Sequence, residues 1–273
     1  MRLLIKNIRV IDPAQQIDEI TNLYIARGKI AGIGTDTPEG FIADSVIDGT
    51  DKWVLPGLVD LQARLAEPGS QYEGSIASET KAAVAGGITT ICCPPDTNPV
   101  NDCQSVTELI QRRARQAATA FVLPIGAITQ QLQGKLLANM ASLKNAGCIA
   151  LSQANQPIQN PLTLKNAMSY AACNDILLML RCEDQALKNN GVAHSGAVSS
   201  RLGLAEITPS AETAALARDL ILVEETGVKA HFSLISTAPI SCHDSSSQKK
   251  RLTHYLRCCY PPTSFNRVRC NGL

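Results

Sequence analysis

The residues with most to offer chemically fall in a few short stretches of the 273-residue chain. Leu55-Pro56-Gly57-Leu58-Val59-Asp60 reads as an apolar strand ending in a carboxylate, and Gln62 and Arg64 follow it two residues apart. Arg181-Cys182-Glu183-Asp184 closes a second apolar run, and His231 lies in a third. Metal-assisted hydrolysis needs imidazole or carboxylate ligands, which offer a deprotonated lone pair at about 2.0–2.2 Å and let the metal lower the pKa of its water toward about 7. Gln62 offers only a weak, neutral amide oxygen, and Arg64 and Arg181 are permanent cations with no lone pair to donate.

Several motifs occur in order along the chain. They are Leu55 to Gly69, ending Leu65-Ala66-Glu67-Pro68-Gly69; Ala85-Gly86-Gly87-Ile88-Thr89-Thr90; Pro95-Asp96-Thr97-Asn98-Pro99-Val100; Arg181-Cys182-Glu183-Asp184; Gly191-Val192-Ala193; Ser199-Ser200-Arg201-Leu202-Gly203-Leu204; and His231-Phe232-Ser233-Leu234-Ile235-Ser236-Thr237-Ala238. Together they resemble the dihydroorotases, cyclic amidohydrolases of the amidohydrolase superfamily, from about the first residue to Ala238. The resemblance implies zinc in active members and identifies the positions where its ligands would stand. Those positions hold Gln62 and Arg64 for the two histidines of His-x-His, Gln153 in place of the bridging carboxylate motif, Arg181 for the next histidine and Leu234 for the last. The arginine that would clamp a substrate carboxylate is Ala66, which removes a bidentate fork, and the asparagine of the Asn-Thr-Asn-Pro motif is Asp96, whose charge would repel an anion. No catalytic residue, metal ligand or cofactor is expected here. Arg64 and Arg181 stand where metal charge would lie, either as cations that organise nearby polar groups or through drift at an unused site.

The resemblance is nearest to zinc-less, non-catalytic dihydroorotase-like subunits that assemble with aspartate carbamoyltransferase, which implies a structural role in pyrimidine biosynthesis with that enzyme as partner. A hydrolase acting on a cyclic amide without the usual zinc site is the alternative, and a non-functional truncated product is a third.

Composition is that of an ordinary globular protein: 45% hydrophobic, 18% charged, formal net charge +1. There is material for a large core and no electrostatic drive toward nucleic acid or membrane. Met1-Arg2-Leu3-Leu4-Ile5-Lys6-Asn7-Ile8 is too short and too alternating for a signal peptide, and no apolar run reaches about 18 residues, so a cytoplasmic protein is expected. The ten cysteines include adjacent pairs at Cys92-Cys93 and Cys258-Cys259 and read as reduced thiols rather than a disulfide framework.

Around these residues the elements alternate. Residues 1–52 show short alternating runs such as Leu23-Tyr24-Ile25-Ala26, broken by Asp12-Pro13 and Arg27-Gly28, and predict a small β-domain. Strands are then expected at Val54–Leu61, Thr89–Cys93, Ala120–Ile125, Cys148–Leu151, Ile176–Cys182 and Val228–Ile235, with helices at Ile76–Ala85, Cys103–Ala117, Gln130–Asn145, Leu162–Cys173 and Ala211–Thr226. Six such units over 53–238 predict an α/β fold, an incomplete (β/α)8 TIM-type barrel that would need two further units. Gly86-Gly87 reads as a helix-to-strand turn, His194 as a solvated loop residue and His231 as a strand-end histidine. Glu183 and Asp184 are expected to pair with Arg181 or a loop amide. Residues 239–273 lose all periodicity while holding four of the ten cysteines, which suggests a change of reading frame. A metal module from Cys242, His243, His254, Cys258, Cys259 and Cys270 is the alternative there, although its spacing fits no paired Cys-x-x-Cys pattern.

Overall fold

A computed structural model describes residues 1–237, so the 239–273 stretch and its cysteines and histidines lie outside the described residues. The chain divides into two compact units, Met1–Leu58 and the residues from Val59 onward.

The first unit is a β-sheet. Strands β1 (Arg2–Asp12), β2 (Ile17–Ala26) and β3 (Lys29–Ile33) run antiparallel in the order β3-β2-β1, while β4 (Ser45–Asp48) and β5 (Trp53–Val54) both pair with β1 in parallel. Alternate residues of β1 and β2 point to one face, where Ile8, Val10 and Leu23 are buried with Ile5, Ile17, Ile25 and Val54 packed against them. Burial of each such side chain is worth about 1.5–3 kcal/mol.

The expected strand Val54–Leu61 is two strands. Val54 ends β5, and Leu58–Asp60 forms β6. Pro56 interrupts the run because it has no N–H to give a ladder, and Gly57 adds backbone freedom beside it.

The second unit alternates strands and helices: β6, α1 (Ile76–Ala85), β7 (Ile88–Cys93), α2 (Gln104–Ala117), β8 (Phe121–Ala127), α3 (Met140–Asn145), β9 (Ala150–Ser152), α4 (Pro161–Cys173), β10 (Leu178–Arg181), α5 (Gln185–Lys188), β11 (Ala193–His194), α6 (Ala197–Leu202), β12 (Glu206–Ile207), α7 (Pro209–Thr226) and β13 (Ala230–Ser233). Six strands lie side by side in the order β13-β10-β9-β8-β7-β6, and the paired registers from β7 to β13 are parallel. The fold is therefore α/β, an incomplete (β/α)8 barrel preceded by a small β-domain.

Local chemistry sets the helix ends. Ser75 caps α1 by accepting the Ser78 N–H, and Asn160 caps α4 ahead of Pro161, whose missing N–H costs nothing in a first turn. Gly87 takes φ +84° directly after α1, as the expected turn requires. The expected helix over 130–145 breaks. Gln130–Leu132 is one 3-10 turn with Gln131 at positive φ, Gly134 follows at φ +70°, and α3 starts only where Asn139 accepts the Ser142 N–H. The sequence gives no sign of α5, α6 or the two-stranded β11–β12 ladder, and His194, expected in a loop, lies on β11.

The main core packs α3, α4 and α7 on the sheet through Leu143, Leu151, Met168, Leu178, Val223 and Phe232. A second cluster, with Leu65, Ile76, Ile91 and Ile110, joins α1 and α2 to β7. Among the described residues, no helix is long and apolar enough to cross a membrane.

Candidate functional site

In a barrel of this kind, function sits at the C-terminal ends of the strands, and the sequence-selected residues gather there. Just past β6, the Gln62 N–H donates to Asp60 Oδ1 at 2.9 Å, a tight turn that leads the chain to Arg64. The Arg64 guanidinium donates to Asp96 Oδ2 from Nε at 2.8 Å and from its terminal nitrogen at 2.7 Å. Asp96 follows β7, so this pair joins the ends of two neighbouring strands. Arg64 thus pairs directly with the Asp96 carboxylate.

A second pair has the same form. Arg181, the last residue of β10, donates to Glu183 Oε2 at 2.8 Å, and Lys188 Nζ and Gln185 Nε2 each reach Glu183 Oε1 at 2.9 Å. Burial raises the Glu183 carboxyl, and Lys188 and Arg181 more than offset that, holding it below the usual carboxylate range. Asp184 caps α5 by accepting the Leu187 N–H at 2.9 Å.

Gln153, after β9, is buried. Its Nε2 donates to Thr129 Oγ1 at 2.7 Å, while its Oε1 has no hydrogen-bond partner among the described residues. Leu234 is 58% exposed with φ +59°, and Ala66 also has positive φ. Glu67, next to it, is a structural anchor: its carboxylate accepts the Ile76 N–H at the start of α1 and pairs with Arg113 of α2 at 3.2 Å.

This donor set does not fit zinc. At the five positions the only lone pairs are two neutral amide oxygens, and two residues are guanidinium cations whose N–H groups already hold the nearby carboxylates. Among the described residues, no group of three or more His, Cys, Asp or Glu side chains is placed to hold a metal ion.

Arg181, Glu183, His194, Glu212 and Leu234 line a cleft of about 170 Å3. Glu212 and Asp219, both on α7, carry no sequence signal that singles them out. Glu212 accepts the backbone N–H groups of Ser236 and Thr237 and both their hydroxyls, which ties the chain after β13 to α7. Burial raises its carboxyl, and the bonds from Thr237 and Ser236 overcome that and leave it below its ordinary 4.5. A carboxyl lowered in the folded state stabilises above its unfolded pKa and loses that contribution as pH falls through the folded value. Acid unfolding, followed by circular dichroism below pH about 4.5, is therefore expected to flatten in Glu212→Gln relative to the parent chain; an unchanged acid limb would show that the clamp contributes nothing.

Burial pushes Cys93 up to about 12, and Cys182 is raised by burial and by Asp219, which lies 3.4 Å from its sulfur. The six cysteines among the described residues are free. His231, on β13 beside Met179 of β10, is lowered by burial and favours neutral imidazole.

Solved structures share this architecture. The L-hydantoinase of Arthrobacter aurescens superposes with a TM-score of 0.67 at 21% identity, over 84% of this chain and 52% of that one; a D-hydantoinase gives 0.64 at 24%, over 85% and 52%. These likenesses show the barrel fold. Residues 51–239 match the dihydro-orotase-like family. The dihydroorotase-like proteins of Pseudomonas putida and Pseudomonas aeruginosa are 48% and 45% identical over 238 residues, 87% of this chain and 56% of theirs, and the dihydroorotase of Syntrophobacter fumaroxidans is 40% identical over 86% and 54%. The chain belongs to the dihydroorotase-like family, and it spans about half the length of the curated relatives it matches.

Proposed function

We propose that this chain is a catalytically silent, cytoplasmic dihydroorotase-like protein of pyrimidine biosynthesis, which acts structurally by supporting the assembly of aspartate carbamoyltransferase. The observation that carries the reading is the pair of guanidinium–carboxylate contacts, Arg64–Asp96 and Arg181–Glu183, at strand ends where the family resemblance puts zinc ligands. A guanidinium cannot accept a metal, and its carboxylate partner is already engaged. Ala66 leaves no clamp for a substrate carboxylate, and Gln153 offers one amide oxygen where a bridging carboxylate would stand. What such a chain keeps is its fold, which suits a scaffold.

The test joins metal analysis, a carbamoyl-aspartate cyclisation assay and co-expression with tagged aspartate carbamoyltransferase. The chain is expected to purify without stoichiometric zinc, to show no cyclisation above buffer, and to be retained on the tagged transferase. Introducing Gln62→His and Arg64→His together is expected to leave activity absent, since Gln153, Arg181 and Leu234 still contribute no adequate ligand. Stoichiometric zinc with turnover overturns the silent reading, and absence of the chain from the transferase eluate overturns the scaffold reading.

A further inference from the structure

Between α5 and α7 the chain leaves the barrel sheet for a small lobe, residues 192–207, that contains β11, α6 and β12. Its two strands pair with each other, Ala193 with Glu206 and His194 with Ile207, in a ladder separate from the six-stranded sheet. Among the described residues, the hydrogen bonds of the lobe also close within it. The Val192 and Ala193 N–H groups donate to the Ala205 carbonyl at 2.9 and 3.3 Å, the Ser195 N–H donates to that of Ile207 at 3.0 Å, and the Leu204 N–H to that of Ser199 at 3.0 Å. The one buried side chain in it is Ser199, so polar contacts rather than an apolar core must hold the lobe together. They converge on Glu206. Ser195 Oγ donates to its Oε2 at 2.6 Å, and Ser199 and Ser200 each donate to its Oε1 at 2.8 Å. Bonds to an ionised carboxylate are roughly twice as strong as neutral ones, and because these three share one acceptor they form and break together.

The attachments of the lobe suit a hinge. On the side before it, α5 is fixed to the barrel by the Asp184 N–H, which donates to the Ala211 carbonyl at 2.8 Å, and by Lys188, which pairs with Glu183. Asn189 then turns the chain at φ 49° and ψ −133°, a conformation that side chains seldom adopt, and α7 takes up the barrel again from Pro209. β11 and β12 carry His194 and Ile207, which form a wall of the cleft that Arg181 and Glu183 line from the end of β10. We propose that residues 192–207 are a lid that opens as one unit about Asn189 and Thr208, latched shut by the three serine contacts to Glu206, and that opening carries His194 and Ile207 away from Arg181.

Hydrogen exchange read by mass spectrometry on the full 273-residue chain, with limited trypsin digestion beside it, tests the lid. In the parent chain the hydrogen-bonded amides of 192–207 are expected to exchange together, about a hundredfold faster than those of β8, β9 and β10. Glu206→Gln keeps the shape of the latch and removes its charge. It is expected to speed exchange across the whole lobe by about tenfold, and trypsin cleavage after the exposed Arg201 in the same proportion, with β8, β9 and β10 unchanged. Ser200→Ala, at an exposed position, removes one of the three bonds and is expected to give a rise of about threefold; it carries the comparison alone if Glu206→Gln does not fold. Lobe amides that exchange in the parent at the rate of the core would overturn the proposal, as would a rise confined to α6 that leaves β11 and β12 unmoved, a rise spread equally over the core, or no rise in either variant.

Discussion

Gly69→Ala is expected to destabilise the barrel unit by about 2–4 kcal/mol, through backbone strain and crowding acting together. Gly69 adopts φ +119°, which side chains rarely tolerate, and a Cβ there would lie 2.6 Å from Asn98 Cβ, 2.8 Å from its carbonyl oxygen and 2.9 Å from its nitrogen. Two of those three contacts are backbone, so no rotamer change relieves them. The two loops are also tied by the Asn98 N–H to the Pro68 carbonyl at 3.0 Å, leaving little room to part. Gly87→Ala isolates the conformational component, because Gly87 has φ +84° and open space where its Cβ would go. In urea unfolding Gly69→Ala is expected to lose about 1–3 kcal/mol more than Gly87→Ala, the share due to crowding. Equal losses would mean that the loops separate freely. Because these loops carry Arg64 and Asp96, the same substitution is expected to loosen that ion pair, which would show as a smaller effect of Asp96→Asn in the Gly69→Ala background.

The Gly69 contact shows how the sequence is read and where reading stops. Leu65-Ala66-Glu67-Pro68-Gly69 and Asn98-Pro99 stand out as motifs, yet their juxtaposition is a property of the folded backbone. The six barrel strands and most helices follow from apolar periodicity, because burial imposes the same period on sequence and structure. The break in the expected 130–145 helix does not, since it depends on positive φ at Gln131 and on Asn139 as a cap, which compete with a pattern that is acceptably helical. The short α5, α6, β11 and β12 are held by polar contacts, such as Ser195 and Ser199 donating to Glu206 at 2.6 and 2.8 Å, and so have no apolar period to find. At the candidate site, the chemistry of Gln62, Arg64 and Arg181 is evident from residue type alone. Their carboxylate partners are less so: Glu183 lies two residues from Arg181, whereas Asp96 is 32 residues from Arg64 and reaches it only because β6 and β7 are neighbours. Glu212 is hidden for the same reason, with its partners 24 and 25 residues away.

Where stability resides within the barrel unit decides the other large effect. Leu178→Ala is expected to cost about 2–5 kcal/mol, the range for truncating a buried leucine when its surroundings relax only partly. Leu178 is fully buried on β10, opposite Leu151 of β9 and Ala230 of β13, and lies in the cluster that α4 and α7 cover with Met168 and Val223. Its loss removes contacts to two strands and leaves a void between layers that helices on one side and neighbouring strands on the other hold in place. Leu58→Ala, the same chemical change, removes a side chain already 57% exposed and is expected to alter stability by less than about 1 kcal/mol. The contrast follows from burial: β9 and β10 are buried on both faces, whereas β6 is largely exposed among the described residues. A domain's whole stability is about 5–15 kcal/mol, so the buried truncation at Leu178 is expected to lower the urea midpoint sharply or abolish the folded state, while the exposed truncation at Leu58 leaves the midpoint close to that of the parent. If Leu58→Ala proves as costly as Leu178→Ala, β6 is covered in solution by something that buries Leu58, and its exposed edge is not the state in which the chain unfolds.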